Sequence, residues 1–216
     1  MKIGIDLDGV VFNTEMLWST YAELYDCIEL NRNSVITNEE PRFQERYDWT
    51  EENKEAFLDK YADITEFDMM PGAKQVISML KEEGHELVVI TARGAISNQT
   101  EGASIAAQKL EDEGIKFDKY YWKQREKIDI CQKENIDVMI DDNYHICEAI
   151  RDAGIPVIYF NSLSRKHLEE RDGLKEVYNW GEAYRVIKNL KWKCIKYALM
   201  KWDIINKYFK ECYYIK

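Results

Sequence analysis

The first twelve residues, MKIGIDLDGVVF (Met1–Phe12), place two carboxylates one residue apart at the end of an apolar run. The segment Lys2–Asp6 has the composition of a short strand that is buried on both faces. Asp6 and Asp8 come at its end, and Gly9 lets the backbone turn sharply because it has no Cβ atom. The pattern predicts a buried strand that delivers two acids to its carboxyl end.

Short apolar segments alternate with amphipathic, glycine-terminated segments along most of the remaining chain. Further strands are predicted at Glu86–Thr91, Lys119–Trp122, Val138–Asp141 and, as the last strand, Pro156–Phe160. Helices are predicted between them at Pro71–Gly84, Ser104–Gly114, Lys127–Asn135 and Tyr144–Gly154. This alternation is typical of an α/β fold, a doubly wound parallel sheet covered by helices on both faces. Ligands bind such sheets at the carboxyl ends of the strands.

Two segments interrupt the alternation and define the predicted domains. Residues 13–70 are polar, rich in Glu, Tyr and Trp, and helical in pattern, which is too long for a loop and too short for a full domain. We predict a small helical cap inserted after the first strand, over the ligand edge of the sheet. Residues 1–12 and 71–190 then form the α/β core, ending in a lid-like loop and a closing helix. Residues 191–216 are predicted to form a basic amphipathic C-terminal helix.

Composition limits the classes of partner and compartment. The chain has 216 residues and a net charge of −10, which suits one core with an insertion and argues against a nucleic-acid polymer as partner. It has no apolar run of about 18 residues, so we expect no transmembrane segment. Its five cysteines are scattered without a CxxC pair, which favours reduced thiols and a cytoplasmic protein. We expect Cys131 and Cys147 to be core residues and His85 to lie at the surface.

The C-terminal segment differs in charge from the rest of the chain. Residues 191–216 carry seven lysines against two acids, with apolar residues at helical spacing. The interpretation we favour is a terminal helix that packs on the sheet or on a second subunit, as in a homodimer. The alternative is an amphipathic helix that contacts a membrane surface or an acidic partner.

Polar side chains follow the predicted strands at their carboxyl ends. They are Asp6, Asp8, Thr91, Arg93, Asp141, Asp142 and Asn143. A lysine before the helix that leads into the fourth strand, Lys127 or Lys123, can reach the same edge. Oxygen ligands without His or Cys suit a hard cation, most simply Mg²⁺. Because a hydroxyl and an ammonium group would bind an oxyanion beside that cation, the set points to phosphoryl transfer.

The two acids of the first motif have distinct candidate roles in such a reaction. The Asp6 carboxylate is a candidate nucleophile that would form an aspartyl-phosphate and divide hydrolysis into two steps. Asp8 is a candidate to protonate the leaving oxygen and then to deprotonate the attacking water. Both roles need the two side chains to reach the same edge of the sheet.

Together, DLDGV, ITAR, the upstream lysine and IDD resemble the four motifs of the haloacid dehalogenase superfamily of phosphohydrolases, over about Lys2–Phe160. The resemblance implies that Asp6 is the nucleophile, that Asp8 is the general acid and base, and that Thr91 binds the phosphate. Beside it, we add Ala92 and Arg93 to the candidate substrate-binding residues, and Arg93 has an ion pair with a local acid as its alternative role. Lys127 is the first choice for the lysine of the family and Lys123 the second.

The resemblance also implies a magnesium site. The ion would be held by the Asp6 side chain, the backbone carbonyl of Asp8 and the Asp141 side chain. Asp142 would bind or orient metal-bound water. The presence of Asp8 favours a phosphatase over a dehalogenase, which lacks that acid.

A narrower resemblance concerns the substrate. The 5′(3′)-deoxyribonucleotidase group and its bacterial relatives are similar to this chain in four features. These are the helical cap, DLDGV, ITAR, and the motifs PGA and GHEL at the two ends of the helix predicted at Pro71–Gly84. This implies a phosphoric monoester hydrolase acting on nucleoside monophosphates. Candidate rings for stacking on a base are Phe12, Trp18, Tyr21, Phe43, Tyr47 and Trp49, although we favour a cap-core role for the rings of the insertion.

Two alternatives remain beside the nucleotidase hypothesis. One is a phosphatase of the same superfamily that acts on a sugar phosphate or another small phosphorylated metabolite. The other is a module that binds a phosphate ligand without turnover. The intact pair Asp6 and Asp8 favours an enzyme over the binding module.

Overall fold

A computed structural model of the chain describes residues 1–34, 36–37, 43–61, 67–94, 100–163, 165–169 and 171–190. Within these ranges the strands are β1 (Lys2–Ile5), β2 (Glu86–Ile90), β3 (Lys119–Tyr121), β4 (Val138–Asp141), β5 (Val157–Phe160) and β6 (Leu174–Val177). The helices are α1 (Thr14–Leu24), α2 (Glu51–Tyr61), α3 (Ala73–Glu82), α4 (Thr100–Asp112), α5 (Ile128–Glu134), α6 (Tyr144–Asp152) and α7 (residues 180–190). A π-helical turn (Tyr25–Glu29) continues α1, and a 3₁₀ helix (Phe43–Arg46) precedes α2.

The strands form one parallel sheet in the order β3-β2-β1-β4-β5-β6. Successive side chains of a strand point to opposite faces, and both faces of this sheet are apolar. Ile3, Ile5 and Val89 pack with residues of α3, α4 and α7 on one face. Val88 and Met139 pack with residues of α5 and α6 on the other. The predicted doubly wound parallel sheet is confirmed.

The order of the strands fixes where a ligand binds. The chain moves outward from β1 to β2 and β3 on one side, and returns to β4, β5 and β6 on the other. The point of reversal, between β1 and β4, opens a crevice at the carboxyl ends of these two neighbouring strands. Asp6 directly follows β1, and Asp141 is the last residue of β4.

The inserted residues between β1 and α3 contain helices with a small core of their own. Ala22, Tyr25, Tyr47, Trp49 and Phe57 are buried together there. The chain enters and leaves this insertion side by side. The Asn13 N–H donates to the Asp68 carbonyl at 3.0 Å, and the Met70 N–H donates to the Val11 carbonyl at 2.7 Å.

The helix α7 secures the turn that follows β1. Trp180 is fully buried in the core, and its Nε1–H donates to the Val10 carbonyl at 2.8 Å. The Val10, Val11 and Phe12 N–H groups all donate to the Leu7 carbonyl, so the turn is tightly wound. The last helix of the described chain therefore supports the loop that carries Asp6 and Asp8.

Two sequence predictions are wrong. The segment after Phe160 contains a strand, β6, where we predicted only a lid-like loop before the closing helix; its two apolar residues, Leu174 and Val177, flank two charged ones and give no strand pattern. His85 is buried at 4% exposure rather than placed at the surface, because it follows the glycine turn into β2 and lies against Glu83. The closing helix is present as α7.

The predictions for the cysteines are confirmed, whereas two other predicted features lie outside the described residues. Cys131 and Cys147 are fully buried, as expected for core residues. The C-terminal segment 191–216 and the Phe43 side chain lie outside the described residues. Among the helices that are described, none has both the length and the apolar character needed to cross a membrane.

Candidate functional site

The first candidate side chain, that of Asp6, directly follows the end of β1. The Asp6 N–H donates to the Ile140 carbonyl at 3.0 Å, which extends the pairing of β1 with β4 by one residue. The Asp6 Oδ1 accepts from the Leu7 N–H at 2.8 Å, so the carboxylate is held against its own turn. Asp6 is 7% exposed. A carboxylate in this position is both shielded from water and fixed in direction.

A buried lysine joins Asp6 to Asp141. The Lys127 Nζ lies 2.7 Å from Asp6 Oδ2 and 2.6 Å from Asp141 Oδ2. Lys127 precedes α5, which leads into β4, so the fold returns its side chain to the crevice. The other candidate, Lys123, packs instead beside Gly94, with its Cε 3.6 Å from where a Cβ would stand on that glycine. The lysine that the structure brings to the acids is therefore Lys127.

Burial and the neighbouring charges shift the pKa values of Asp6 and Lys127. Burial raises the pKa of Asp6 to about 7, although the Lys127 ammonium opposes that rise. Burial lowers the pKa of Lys127, but the carboxylates of Asp141 and Asp6 outweigh it, and the net shift is upward. The lysine is accordingly charged and holds two carboxylates that would otherwise repel each other.

Asp142 adds a third carboxylate, and we call Asp6, Lys127, Asp141 and Asp142 the acid–lysine cluster. Asp6, Asp141 and Asp142 each offer an oxygen within 4.8 Å of the others. Burial raises the pKa of Asp142 well above its usual range, and nearby carboxylates, first that of Glu15, raise it further. The cluster thus has three carboxylates and one ammonium group, which contacts two of them. This surplus of oxygen donors fits a hard divalent cation such as Mg²⁺, which takes carboxylate, carbonyl and water oxygens.

Gly9 makes room for the cluster. Its φ of +68° is in the left-handed region, and a Cβ there would lie 2.1 Å from Asp142 Oδ2. Its N–H donates to Thr14 Oγ1 at 3.2 Å, which links the turn to the start of α1. A side chain at this position would displace Asp142, so glycine is required for the acids to gather.

Asp8 points to a different partner. Its carboxylate forms a two-point ion pair with Arg93, in which Arg93 Nε lies 3.1 Å from Asp8 Oδ2 and Nη2 contacts Oδ1. The Arg93 guanidinium also lies 4.7 Å from the centre of the Phe67 ring. Arg93 was predicted to contact the substrate, and the structure places it on Asp8. The Asp8 side chain is accordingly paired with Arg93 and is not one of the three clustered carboxylates, although its charge contributes to the raised pKa of Asp6.

The segment after β2 supplies the remaining predicted residues. Thr91 is fully buried, and its Oγ1 accepts from the Arg93 N–H at 3.2 Å. Ala92 is half-buried between them. Because β2 is the neighbour of β1 in the sheet, Thr91 lies at the same carboxyl edge as Asp6.

The rings proposed to stack on a base are largely packed away. Phe12 is fully buried in the main core, and Tyr47 and Trp49 stack on each other in the cap core with ring centres 4.4 Å apart. Trp18 and Tyr21 are partly buried and contact both cores. The cap-core interpretation is confirmed for Tyr47 and Trp49.

Three charged residues beside the cluster were missed from the sequence. Glu15 in the first turn of α1, Arg46 in the 3₁₀ helix of the insertion and Arg165 after β5 meet next to Asp142. None of them ends a strand of the predicted sheet, so the strand-end rule gives no signal for them. Only Glu15, at the start of the insertion, lies near a motif in the sequence.

The fold and the cluster define an α/β protein with an acid-rich site at the switch point of a parallel sheet. No family model matches the chain, and no curated protein matches it in sequence. Solved structures do match it. A haloacid dehalogenase-like family hydrolase from Xanthomonas campestris has a TM-score of 0.61 at 12% identity, covering 91% of this chain and 98% of that one.

Two further solved structures agree. A "predicted phosphatase" from Clostridium acetobutylicum has a TM-score of 0.60 at 20% identity, covering 87% of this chain and 98% of that one. A "predicted phosphoglycolate phosphatase" from Haemophilus somnus has a TM-score of 0.53 at 15% identity, covering 86% and 96%. The chain therefore has the fold of the haloacid dehalogenase-like hydrolases.

Proposed function

We propose that this protein is a Mg²⁺-dependent phosphatase of the haloacid dehalogenase superfamily that hydrolyses small phosphomonoesters through an aspartyl-phosphate. The observation that carries the proposal is the buried bridge from Asp6 through Lys127 to Asp141 at the switch point of the sheet. A surface turn with two acids would need no buried ammonium group behind it. Here the lysine opposes the rise in the pKa of Asp6 and fixes the direction of its carboxylate, both of which favour a carboxylate nucleophile.

Asp6 and Asp8 have separate roles in the proposed hydrolysis of a phosphomonoester. A carboxylate oxygen of Asp6 forms a bond to phosphorus while the bond from phosphorus to the leaving oxygen breaks. Asp8 gives its proton to that oxygen, then takes a proton from the water that attacks the aspartyl-phosphate and releases Asp6 and inorganic phosphate. Since both Asp8 oxygens are held by Arg93, this role requires at least one of those contacts to open during turnover. Thr91 and Lys127 bind the phosphoryl oxygens.

The proposed metal would be held by the side chains of Asp6, Asp141 and Asp142 and by the Asp8 carbonyl. The crowding of Asp142 against Gly9, and the surplus of carboxylates over ammonium groups, fit this donor set. When bound, the ion supplies positive charge that neutralises the phosphoryl group. Lys127 balances one carboxylate and leaves the others for the cation.

The substrate subclass has two candidates. The motif resemblance favours a nucleoside monophosphate. Burial of Phe12, Tyr47 and Trp49 leaves fewer rings for a base, which favours a compact sugar phosphate or other small metabolite. The name of the Haemophilus somnus neighbour, a phosphoglycolate phosphatase, also fits a compact substrate. On the scattered cysteines we place the activity in the cytoplasm.

A phosphate-release assay over nucleoside monophosphates, sugar phosphates and phosphorylated acids tests the proposal. We expect release with Mg²⁺, loss of release with a chelator, and no release by Asp6→Asn. The matched control is Asp68→Asn, the same change at a carboxylate whose side chain is 82% exposed. Release without a divalent cation would overturn the mechanism, and wild-type release by Asp6→Asn would remove Asp6 as nucleophile. Binding of phosphate esters without any release would favour the binding module.

A further inference from the structure

A largely buried ion pair beside the acid–lysine cluster holds the proposed general acid of the reaction. Arg93 Nε lies 3.1 Å from Asp8 Oδ2, and Arg93 Nη2 contacts Asp8 Oδ1. The side chain of Arg93 is 6% exposed and that of Asp8 is 17% exposed. Breaking such a pair without a replacement is costly, because little water is there to solvate the separated charges. Replacement of one anion by another avoids that cost.

An aromatic ring holds the guanidinium of this pair from a second side. The Arg93 guanidinium lies over the Phe67 ring, 4.7 Å from its centre. Phe67 is itself buried at 4% exposure and packs on Phe12 with ring centres 4.6 Å apart. The face of a ring attracts a cation whichever anion that cation also binds. We call Asp8, Arg93 and Phe67 the arginine latch.

The backbone of Arg93 is joined to the proposed phosphate site. Its N–H donates to Thr91 Oγ1 at 3.2 Å, and Thr91 is fully buried directly after β2. The strand β2 pairs with β1, which Asp6 follows. The Asp8 carboxylate contributes to the raised pKa of Asp6, so the two acids are close enough for their charges to interact. An anion bound at Asp6 and Thr91 therefore lies within reach of the Arg93 side chain.

A phosphoryl group is a suitable replacement for the Asp8 carboxylate. The N–H groups of a guanidinium form a fork that matches the oxygens of a phosphate as well as those of a carboxylate. A phosphate monoester carries about −1.5 to −2 charges at neutral pH, which is more than a carboxylate does. The proposed hydrolysis also requires Asp8 to lose at least one of its contacts with Arg93. The substrate itself supplies the anion that makes this loss affordable.

We infer that the arginine latch couples substrate binding to catalysis: Arg93 holds Asp8 before a substrate binds, and transfers to the phosphoryl group when a phosphomonoester binds at Asp6. The transfer frees Asp8 to act on the leaving oxygen. This inference rests on the proposed function and assigns a contact with the phosphoryl group to Arg93. It also links the insertion to the chemistry, because Phe67 lies where the chain leaves the insertion.

Calorimetry of inorganic phosphate binding, with Mg²⁺ present, tests the exchange without any turnover. Phosphate must displace Asp8 from Arg93 in the wild-type protein, so Asp8→Asn removes a competitor and should tighten binding. Part of this gain comes only from removing a negative charge near the phosphate, and Asp8→Asn in an Arg93→Gln background measures that part alone. We expect the gain in affinity to be about tenfold larger with Arg93 present than with Arg93→Gln.

A static ion pair gives a different result. If Arg93 stays on Asp8 throughout, Asp8→Asn tightens phosphate binding equally in both backgrounds, or more strongly with Arg93→Gln, because an unpaired carboxylate repels phosphate more. Either result would overturn the inference, and so would a wild-type protein that does not bind phosphate. If Arg93→Gln does not fold, Arg93→Lys replaces it, because one ammonium group lacks the fork, and the larger gain is again expected with Arg93.

The matched control is a second Asp–Arg pair, that of Asp48 and Arg32 in the insertion, which are joined at 2.9 Å and more exposed. Asp48→Asn, measured alone and together with Arg32→Gln, should leave the affinity for phosphate unchanged. An effect there as large as that at the latch would reflect the overall charge of the protein and would contradict the exchange.

The two proposals fail separately in this design. If the gain depends on Arg93 as expected but no phosphomonoester is hydrolysed, the exchange of Asp8 for phosphate stands and the phosphatase proposal falls. If phosphomonoesters are hydrolysed and the gain is the same in both backgrounds, the phosphatase stands and the arginine latch falls.

Discussion

Two clusters of charge lie at opposite ends of the same sheet, and they are built differently. At the carboxyl edge, the acid–lysine cluster has three carboxylates and one ammonium group, which contacts Asp6 and Asp141. At the amino edge, Lys2 and Lys119 meet Glu86 and Glu134. The first cluster has more acidic than basic groups, and the second has two of each.

The titration of the two clusters shows the same contrast. Glu134 accepts from Lys119 Nζ at 2.6 Å, from Lys2 Nζ at 3.3 Å and from the Tyr121 hydroxyl. These contacts, first that of Lys119, lower its pKa to about 2. The pKa values of Asp6 and Asp142 are raised instead. A cluster with equal numbers of acidic and basic groups stabilises the ends of the strands. A cluster with a surplus of acidic groups favours binding of a cation.

The largest expected difference between the clusters is in activity. Asp141→Asn removes a partner of Lys127 and a proposed metal ligand, and we expect the rate of phosphate release to fall about 10³-fold. Glu134→Gln makes the same kind of change at the amino edge and should keep the wild-type rate. Steady-state release with Mg²⁺ on the best substrate of the panel measures both. Similar losses in the two variants would contradict the contrast.

The next difference is in stability. Lys127→Met leaves two buried carboxylates without their counter-charge and should lower the free energy of unfolding by about 3–5 kcal/mol. Lys119→Met, at a side chain that is 45% exposed, should lower it far less, because solvent screens an exposed ion pair. Urea unfolding at neutral pH gives both values. A small loss for Lys127→Met would mean that the buried bridge does little to hold the sheet edge.

A third test separates backbone strain from the crowding at Asp142. Gly9→Ala and Gly154→Ala both place a Cβ at positive φ, +68° and +86°, and each should cost about 1–2 kcal/mol. The Cβ at residue 154 meets nothing within 4 Å, whereas that at residue 9 meets Asp142. Thermal unfolding should show a loss in both variants, larger in Gly9→Ala because Asp142 must also move, and only Gly9→Ala should lose Mg²⁺-dependent release. Equal activity in both would show that the acids tolerate displacement.

The smallest expected effect is the acid dependence of the amino edge. Because the folded-state pKa of Glu134 is lowered to about 2, its contacts stabilise the fold above the unfolded-state value near 4.5 and lose this effect as the pH falls towards 2. The melting temperature of the wild type should exceed that of Glu134→Gln at pH 6, and the difference should shrink below pH of about 4.5. If the difference in melting temperature does not change with pH, it arises from packing of the Glu134 side chain and not from its charge.

The sequence predicts the centre of the site better than its periphery. The strand-end rule brought Asp6 and Asp141 to one edge, and the need for an ammonium group pointed to Lys127 or Lys123, of which the structure brings Lys127 to the acids. Arg46 and Arg165 escaped prediction because an insertion and a loop place them, and no periodic pattern records how such segments pack on a sheet. The strand β6 was missed for a related reason: it is an edge strand, and an edge strand needs few apolar residues.

The hydrogen bond from Trp180 to Val10 spans 170 positions of the chain and has a consequence for biosynthesis. The turn that carries the Val10 carbonyl is translated before α7, which supplies the Trp180 N–H donor about 10–35 s later at ordinary elongation rates. A nascent chain that stops before α7 would hold every acid of the cluster without the support of their loop. Synthesis of α7, and not synthesis of the acids themselves, is therefore the step that gives their loop this support.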